Sequence, residues 1–298
     1  MRAHDEVLEA LRHDGSWQFT PAADGTPDRA VFRLDPATRP GRRDLVRRLP
    51  AHAPGPGGGA APADPSDPEQ WEGVLVAALL AHPAADRLRV LDLRLTDYHR
   101  CAEPVAAALA ARPRPRLEHL SFGYGYRHLY EDAEGTAGTR IDPLDFHGEG
   151  LVQSDVWPAL PALRTLELEG AFLFHAVDHD GLTHLKVRGP ACSDGAVFAL
   201  GHTPAVESLT VEVGCDVFGV TLSPDQLGEL TADRYPALRR LDLARTEFDA
   251  DPHEVLAALA DCDVLPQLDT LTLDARTAGA RTPDLAPRFA HLDLRTAV

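Results

Sequence analysis

One stretch of the sequence, Tyr235-Pro-Ala-Leu-Arg-Arg-Leu-Asp-Leu243, decides the fold of this protein. Its apolar residues follow the spacing Leu238-x-x-Leu241-x-Leu243. Leu241 and Leu243 are two residues apart, and side chains with that spacing lie on the same face of a strand. The stretch therefore predicts a short strand whose leucines point into the core and whose neighbours, Arg240 and Asp242, face solvent.

The same spacing recurs along the chain, which makes eight copies in all. The other copies are Leu88/Leu91/Leu93, Leu117/Leu120/Phe122, Leu163/Leu166/Leu168, Leu182/Leu185/Val187, Val206/Leu209/Val211, Leu268/Leu271/Leu273 and Phe289/Leu292/Leu294. Such a repeating unit is typical of leucine-rich repeats, and one unit cannot bury its apolar face without stacking on the next. The sequence therefore predicts an α/β leucine-rich-repeat solenoid over residues 69–298, with a curved parallel sheet inside and helices and turns outside.

Helix start signals lie between several of the copies. Glu103-Pro104, Ser223-Pro224 and Asp251-Pro252 each place a proline at the first helical position, and each precedes an apolar stretch. The first apolar residues of successive copies are separated by 29, 46, 19, 24, 32, 30 and 21 residues. The spacings near 30 leave room for a helix on the outer side, whereas the shortest leaves room only for a turn.

The N-terminal part of the chain has a different pattern. Residues 1–49 predict a helix, a probable hairpin containing Trp17 and Phe32, and a short helix rich in arginine. A solenoid needs a cap with a polar outer face over its first repeat, so this segment is interpreted as an N-terminal cap. A separate ligand-binding module is the alternative. Residues 50–68 are rich in proline and glycine and are predicted to be a linker.

Composition limits the classes of partner. The chain of 298 residues is acidic, with 29 basic and 46 acidic residues and a formal net charge of −17. This balance disfavours nucleic acid and an anionic membrane as partners. The first residues carry charge where a secretory signal would be apolar, and the longest apolar run, Val74 to Ala81, is too short to span a bilayer. The four cysteines form no C-x-x-C pair, so a cytoplasmic protein is expected.

A family resemblance rests on the quoted stretch and the residues after it. Tyr235 to Leu243, followed by Thr246-Glu-Phe248 and Val255-Leu-Ala-Ala-Leu259, resembles a family of uncharacterised bacterial cytoplasmic leucine-rich-repeat proteins with ribonuclease-inhibitor-like strand–helix repeats. The resemblance implies a binding scaffold without a known chemistry. One departure concerns the position three residues after the last core leucine, where Thr246 stands in place of the usual Asn or Cys. A continuous ladder of such side chains is not expected.

The sequence offers no clear basis for catalysis. It contains no G-x-S-x-G motif and no isolated pair of carboxylates, and no cofactor is expected. The segment His175–His184 collects histidines and aspartates, but Ala176 stands where a zinc-binding helix motif requires Glu. We therefore expect a non-enzymatic scaffold that binds a protein or peptide. The alternatives are a metal-dependent hydrolase at His175–His184 and a structural accessory subunit.

Strand alternation also predicts where a partner binds. Residues that flank the core pairs, including Ser121 and Glu212, should be exposed together on the concave sheet face. The loop 123–151 holds three of the five tyrosines and is either a binding element or a cover that seals the groove. The candidate binding residues are Tyr124, Tyr126, Tyr130, Glu167, Glu169, Lys186, Arg188, Glu212, Arg240 and Asp242.

The last predicted strand is a candidate for self-association. No helix is expected to cover the strand edge between Phe289 and Arg295, and an open edge can pair with another strand. The charges of Asp293 and Arg295 could instead blunt the edge. Self-association through the C-terminal edge strand and protection by charge therefore both stay open.

Overall fold

The computed structural model describes residues 2–13, 15–21, 27–33, 39–49, 71–95, 102–124, 152, 154–170, 173–189, 198, 200–214 and 221–297. These residues form a mixed α/β fold whose sheet structure is mostly parallel and not closed. The chain divides into two compact units, Met1–Leu163 with Phe172–His175, and Arg164–Ala171 with Ala176–Val298. No helix in the described ranges is long and apolar enough to cross a membrane.

The first unit contains four helices and four strands among its described residues. They are α1 (Arg2–His13), β1 (Trp17–Pro21), β2 (Pro27–Arg33), α2 (Arg39–Arg48), α3 (Trp71–Ala81), β3 (Val90–Leu95), α4 (Ala102–Ala110) and β4 (His119–Tyr124), with 3-10 turns at Pro83–Arg87 and Trp157–Ala159. Strands β1 and β2 form an antiparallel hairpin, and β2, β3 and β4 are parallel in chain order.

The N-terminal hairpin is part of the sheet of this unit. Helix α1, the β1–β2 hairpin and helix α2 lie where the sequence predicted a helix, a hairpin and a basic helix. In addition β2 pairs with β3, so that Ala30 lies opposite Leu91 and Phe32 opposite Leu93. The predicted linker, residues 50–68, lies outside the described residues, and the division into cap, linker and repeats stays a prediction.

Arg114 stabilises the helix ends of the first unit. Helix α3 has nine of its eleven residues buried and packs against α4 and α2. Arg114 is buried and donates to the carbonyls of Leu80 and Ala108, which lie at the C-terminal ends of α3 and α4. Burial, reinforced by the charge of Arg112 and opposed by Asp86, lowers the pKa of Arg114 to about 10. The guanidinium therefore remains charged at neutral pH.

The second unit contains six parallel strands and two α-helices among its described residues. They are β5 (Thr165–Glu169), β6 (His184–Arg188), β7 (Ser208–Glu212), β8 (Arg240–Asp242), α5 (Pro252–Asp261), β9 (Thr270–Leu273), α6 (Ala275–Gly279) and β10 (Asp293–Thr296), with 3-10 helices at Pro224–Glu229, Leu265–Gln267 and Ala286–Phe289. Each strand pairs with the next in chain order.

One backbone hydrogen-bond pattern recurs at the start of these strands. The carbonyl of Arg164 accepts from the N–H groups of Thr183 and His184, and the carbonyl of Thr183 accepts in the same way from Glu207 and Ser208. The pattern continues from Glu207 to Arg239 and Arg240, and from Arg239 to Asp269 and Thr270. Because each strand starts at the same place relative to its neighbour, the same repeat positions lie side by side along the sheet.

The predicted core residues are buried. Each lies in register with its counterpart in the next strand and has at most 2% of its surface exposed; they are Leu166, Leu185, Leu209, Leu241 and Leu271. Tyr235 of the quoted stretch is also fully buried, and its hydroxyl donates to the carbonyl of Phe198 at 2.6 Å. The predicted burial and strand register are therefore confirmed for these five leucines.

The predicted frame of the eighth copy is wrong by two residues. Leu294, not Leu292, lies opposite Leu271 in the register of β10 and β9. His291 therefore takes the place of Leu268, and the spacing from the seventh copy is 291 − 268 = 23 residues. Phe289 is buried, but it ends a 3-10 helix that precedes the strand. The frame slipped because Leu292 and Leu294 are both apolar and two residues apart.

The helix start signals give two α-helices and one 3-10 helix. Pro252 begins α5 with Asp251 as its N-cap, and Glu103-Pro104 lies in the first turn of α4. Ser223 forms a capping box with Gln226, but the segment that follows, Pro224–Glu229, is a 3-10 helix. The prediction of a longer helix there is wrong, because the segment contains Gly228, a residue with low helix propensity, and is only six residues long.

Candidate functional site

The polar side chains of the second unit are aligned in rows on one face of the strands, here called the polar face. The first row is Thr165, His184, Ser208, Arg240, Thr270 and Asp293; the second is Glu167, Lys186, Thr210, Asp242, Thr272 and Arg295; the third is Glu169, Arg188 and Glu212. Most of these residues are half-buried or exposed. Parallel sheets are usually covered on both faces, so a polar face of this size is a candidate binding surface.

Five charged side chains form a connected group on the polar face, here called the charge network. Arg188 Nη1 lies 2.8 Å from Glu169 Oε1, and Lys186 Nζ lies 2.8 Å from Glu212 Oε1. The second carboxylate oxygen of Glu212 lies 3.7 Å from Arg188 Nε and 3.6 Å from Arg245 Nη1. Glu212 therefore contacts three basic side chains, two from strand β6 and one from a turn.

The charge network has a buried centre and an exposed rim. The Glu212 side chain is only 6% exposed, and those of Glu169 and Arg188 are each 12% exposed. Lys186 and Arg245 are 41% and 55% exposed. With three basic and two acidic groups, the network has a formal charge of 3 − 2 = +1, whereas the whole chain carries −17. The network is therefore close to neutral, and its two most exposed members, Lys186 and Arg245, are both basic.

Burial of a carboxylate such as Glu212 has a cost that only paired charges offset. A buried ion without partners loses hydration worth several kcal/mol, which good pairing geometry returns. Lys186 supplies the short pairing at 2.8 Å, while Arg188 and Arg245 lie at the longer distances of 3.7 and 3.6 Å from the second carboxylate oxygen. The short contact holds Lys186 Nζ against the carboxylate at the surface. Groups held in this way lose little conformational freedom when a partner binds, which favours recognition.

The remaining polar residues extend the surface away from the charge network. Glu167 lies opposite Lys186 in the register of β5 and β6. Arg240 is exposed, with its Nη2 atom 3.4 Å from Nε2 of the exposed His184. Asp242 has a local role as well, because its carboxylate accepts the N–H of Ala244 at 3.0 Å. The polar face thus carries both signs of charge within a few strands.

The structure brings together most, but not all, of the residues predicted to bind. Glu167, Glu169, Lys186, Arg188, Glu212, Arg240 and Asp242 all lie on the polar face of the second unit. Tyr124 ends β4 in the first unit. Tyr126 and Tyr130 lie outside the described residues, as does the rest of the loop 123–151 apart from Gly123 and Tyr124 of β4. Their role as a binding element or a cover stays a prediction.

The prediction that all flanking residues are exposed is wrong at two positions. Glu212 is buried because Lys186, Arg188 and Arg245 surround its carboxylate. Ser121 in β4 is also buried, and its hydroxyl lies 3.2 Å from Nε2 of His119. Alternation places both side chains on the expected face, but it does not determine how much neighbouring side chains cover them.

Two side-chain contacts near the polar face were not predicted from the sequence. Arg245 follows the last core leucine, Leu243, in a turn, where the repeat pattern assigns no inward or outward direction. Thr246 is buried and its hydroxyl donates to the carbonyl of Val211 at 2.6 Å. A threonine at this position therefore contacts the backbone of the neighbouring strand β7. The donor group on Thr246 is the signal that could have indicated it.

The segment His175–His184 does not gather metal ligands. His179 is buried, and its Nδ1 atom accepts the N–H of Gly181, while Asp178 accepts the N–H of His202. His184 lies on the polar face of β6. Across the described ranges, no group of three or more His, Cys, Asp or Glu side chains is placed to hold a metal ion.

The one described cysteine has a structural role. Cys262 is a free thiol at the end of α5, and it donates to the carbonyls of Leu227 and Ala258. Burial, with additional contributions from Asp261 and Asp263, raises the pKa of Cys262 to about 12. The thiol is therefore protonated at neutral pH and is a poor nucleophile.

Comparisons with known proteins find no relative from which a function could be inferred. The chain matches no protein-family model, and a search of curated proteins finds no similar sequence. The polar face and the charge network are therefore the features from which a function can be inferred.

Proposed function

We propose that residues 69–298 form a leucine-rich-repeat solenoid and that the protein is a non-enzymatic scaffold that binds a protein or peptide on the polar face. The repeated backbone pattern at the strand starts supports the repeat architecture, because it recurs from β5 to β9 and separately between Arg89 and His119 of the first unit. The alignment of buried leucines supports it as well. In a solenoid of this kind the polar face would be the concave inner surface.

The observation that carries the functional proposal is the charge network. A scaffold face built only for stability could use neutral residues, as Thr210 and Thr272 do in the second row. Replacement of a buried ion pair by apolar residues is often neutral or stabilising, so stability alone does not explain why charged residues occupy the positions of Glu212 and its partners. Held charges with an exposed rim are suited to recognition of a polar partner.

The charge pattern defines the class of partner. Lys186 and Arg245 present positive charge, while Glu167 and Asp242 present negative charge close by. A partner that matches this surface carries both signs in a fixed arrangement, as a folded protein or a peptide does. A nucleic acid duplex offers only negative charge and would be repelled by a chain of net charge −17.

The loop 123–151 and the cellular setting belong to the same proposal. Tyrosine provides a large contact area at low entropic cost, so Tyr124, Tyr126 and Tyr130 are proposed as further contacts for the same partner. On the basis of the resemblance to bacterial cytoplasmic repeat proteins, the scaffold is also proposed to act in the cytoplasm of a bacterium. No cofactor or metal has a role in this function, and no specific contact favours the hydrolase alternative.

To test the proposal, large charged side chains are introduced on the polar face while the charge network is left intact. Thr210 and Thr272 lie on either side of Asp242 in the second row and are both half-buried. The double variant Thr210→Arg with Thr272→Arg adds bulk and two positive charges. The control Glu254→Arg lies on the exposed side of α5 and changes the net charge by the same amount, from −1 to +1. Both variants should keep the wild-type melting temperature.

The binding assay uses the immobilised full chain and protein extracts from its bacterial host, followed by identification of the bound protein and its purification. Capture of the purified partner by the wild type and by Glu254→Arg, but not by the double threonine variant, is the expected result. Equal capture by all three proteins would contradict binding on the polar face.

A further inference from the structure

Strand β10 has one edge that no other strand of the described residues covers. It pairs with β9 in parallel, and the N–H groups of Asp293 and Ala297 donate to the carbonyls of Asp269 and Leu273. The backbone groups of successive residues in a strand point to opposite sides. Those of Leu294 and Thr296 therefore point away from β9, where β10 is the last strand in the order.

The side chains of this edge alternate in charge around a central leucine. Asp293 and Arg295 flank Leu294, and their side chains are 57% and 62% exposed. Arg295 now binds Asp293 of its own strand, with its Nε and Nη2 atoms 2.8 and 2.7 Å from Oδ2. Leu294 is half-buried on the opposite face. The sequence Asp-Leu-Arg is complementary to itself when read in the opposite direction.

We propose that β10 pairs antiparallel with β10 of a second copy of this chain, around a two-fold axis at Leu294. In this register Leu294 exchanges both backbone hydrogen bonds with Leu294 of the second copy. Asp293 lies opposite Arg295 of the second copy, and Arg295 lies opposite its Asp293. Each Thr296 N–H faces the carbonyl of Leu292 across the interface. The contact is isologous, so it closes as a dimer.

Other registers are less favourable. A shift of one residue would set Leu294 opposite Arg295, whose backbone groups point towards β9 and cannot bond across the interface. An axis at Thr296 would place Arg295 opposite Ala297 and form no ion pair. A parallel, in-register pairing would place Asp293 opposite Asp293, and like charges directly opposite are destabilising. Both the backbone and the charges therefore favour the axis at Leu294.

The register can be read directly by cysteine cross-linking of the full chain. In a hydrogen-bonded antiparallel pair the Cα atoms are about 5.5 Å apart, within the range that a disulfide spans. Leu294→Cys should therefore form a disulfide-linked dimer under mild oxidation. In the control Thr296→Cys the two thiols are four residues apart along the strands, about 14 Å, and should not link. The wild type under the same oxidant gives the background from the natural cysteines.

Charge exchange tests the same register without cross-linking. Sedimentation across a concentration series should show a reversible monomer–dimer equilibrium for the wild type. Asp293→Arg places like charges opposite each other at two positions and should weaken the dimer roughly tenfold. The double variant Asp293→Arg with Arg295→Asp restores both pairs and should restore the dimer. Melting temperatures of all variants should match the wild type, because both side chains are largely exposed.

Three results would overturn the proposal. The first is a wild type that stays monomeric at every concentration, which would mean that the charges protect the edge from pairing. The second is equal cross-linking of Leu294→Cys and Thr296→Cys. The third is a double charge variant that dimerises no better than Asp293→Arg. Partner capture on the polar face is measured separately, so none of these results depends on it.

Discussion

Glu212 and Glu167 both lie on the polar face, in the third and second rows respectively, yet their environments differ. Glu167 is half-buried, whereas Glu212 is buried beneath Lys186, Arg188 and Arg245. The difference does not come from either residue's neighbours in sequence, because the three basic side chains belong to another strand and to a turn. Burial at this scale is set by contacts between distant parts of the chain.

Removal of the Glu212 carboxylate should destabilise the protein. Glu212→Ala leaves Lys186 without its partner and removes one partner of the largely buried Arg188. Loss of hydrogen bonds to a charged group costs about 1.5–3 kcal/mol, and no larger loss is expected because Arg188 keeps Glu169 and Lys186 can rotate into solvent. Urea denaturation measures the change in the free energy of unfolding. Glu167→Ala is the control. An equal loss of unfolding free energy in the two variants would show that the contacts of Glu212 in the charge network add no stability.

Leu241 tests the packing that the quoted stretch predicts. Its side chain is 1% exposed between Leu209 and Leu271, so Leu241→Ala should lower the free energy of unfolding by about 2–5 kcal/mol. The neighbouring variant Arg240→Ala changes an exposed side chain and should shift it by less than about 0.5 kcal/mol. A thermal melt of Leu241→Ala that overlaps the wild type would show that the position is not packed.

At the scale of elements, the sequence predicted the strands better than the segments between them. The Leu-x-Leu pattern gave the right register for β5 to β9, because a slip of one residue would expose every core leucine. It failed at β10, because either Leu292 or Leu294 could be the residue opposite Leu271 and the pattern does not distinguish them. It also could not show that the hairpin joins the sheet through β2, since pairing between distant strands leaves no local signal.

Asp274 gives an element-scale test, since it caps helix α6. Its carboxylate accepts the N–H groups of Arg276 and Thr277. Burial tends to raise the pKa of Asp274, but hydrogen bonds from Thr277 and Arg276 outweigh it and lower the pKa below its ordinary value. Loss of such a cap in Asp274→Ala should cost about 1 kcal/mol at neutral pH.

The pH dependence of this variant follows from the direction of the shift. Because the folded pKa is depressed, the ionised carboxylate contributes stability above the unfolded value of about 3.9, and the contribution is lost as the pH falls through the folded pKa. The gap in free energy of unfolding between wild type and Asp274→Ala should therefore narrow below about pH 4. Urea titrations at neutral and acidic pH measure it. A gap that is the same at both would show that the charge of Asp274 plays no part.

At the scale of the whole molecule, the position of the polar face could be predicted and its electrostatics could not. Strand alternation placed the candidate residues from Glu167 to Asp242 on one face of the second unit. The net charge of −17 gave no indication of a local network of +1, because total charge does not determine where charges meet. Arg245 completes the network from a turn, where no periodic pattern exists.

The central claim is that a protein partner binds on the polar face of β5 to β9. The most direct measurement is photocrosslinking from a photoreactive phenylalanine analogue placed at Thr210 in the middle row, with Glu254 on α5 as the matched outer position. If the partner binds on the polar face, the analogue at Thr210 should link to one protein in the host extract, and the analogue at Glu254 should not. Crosslinking of the same partner from Glu254 and none from Thr210 would contradict it.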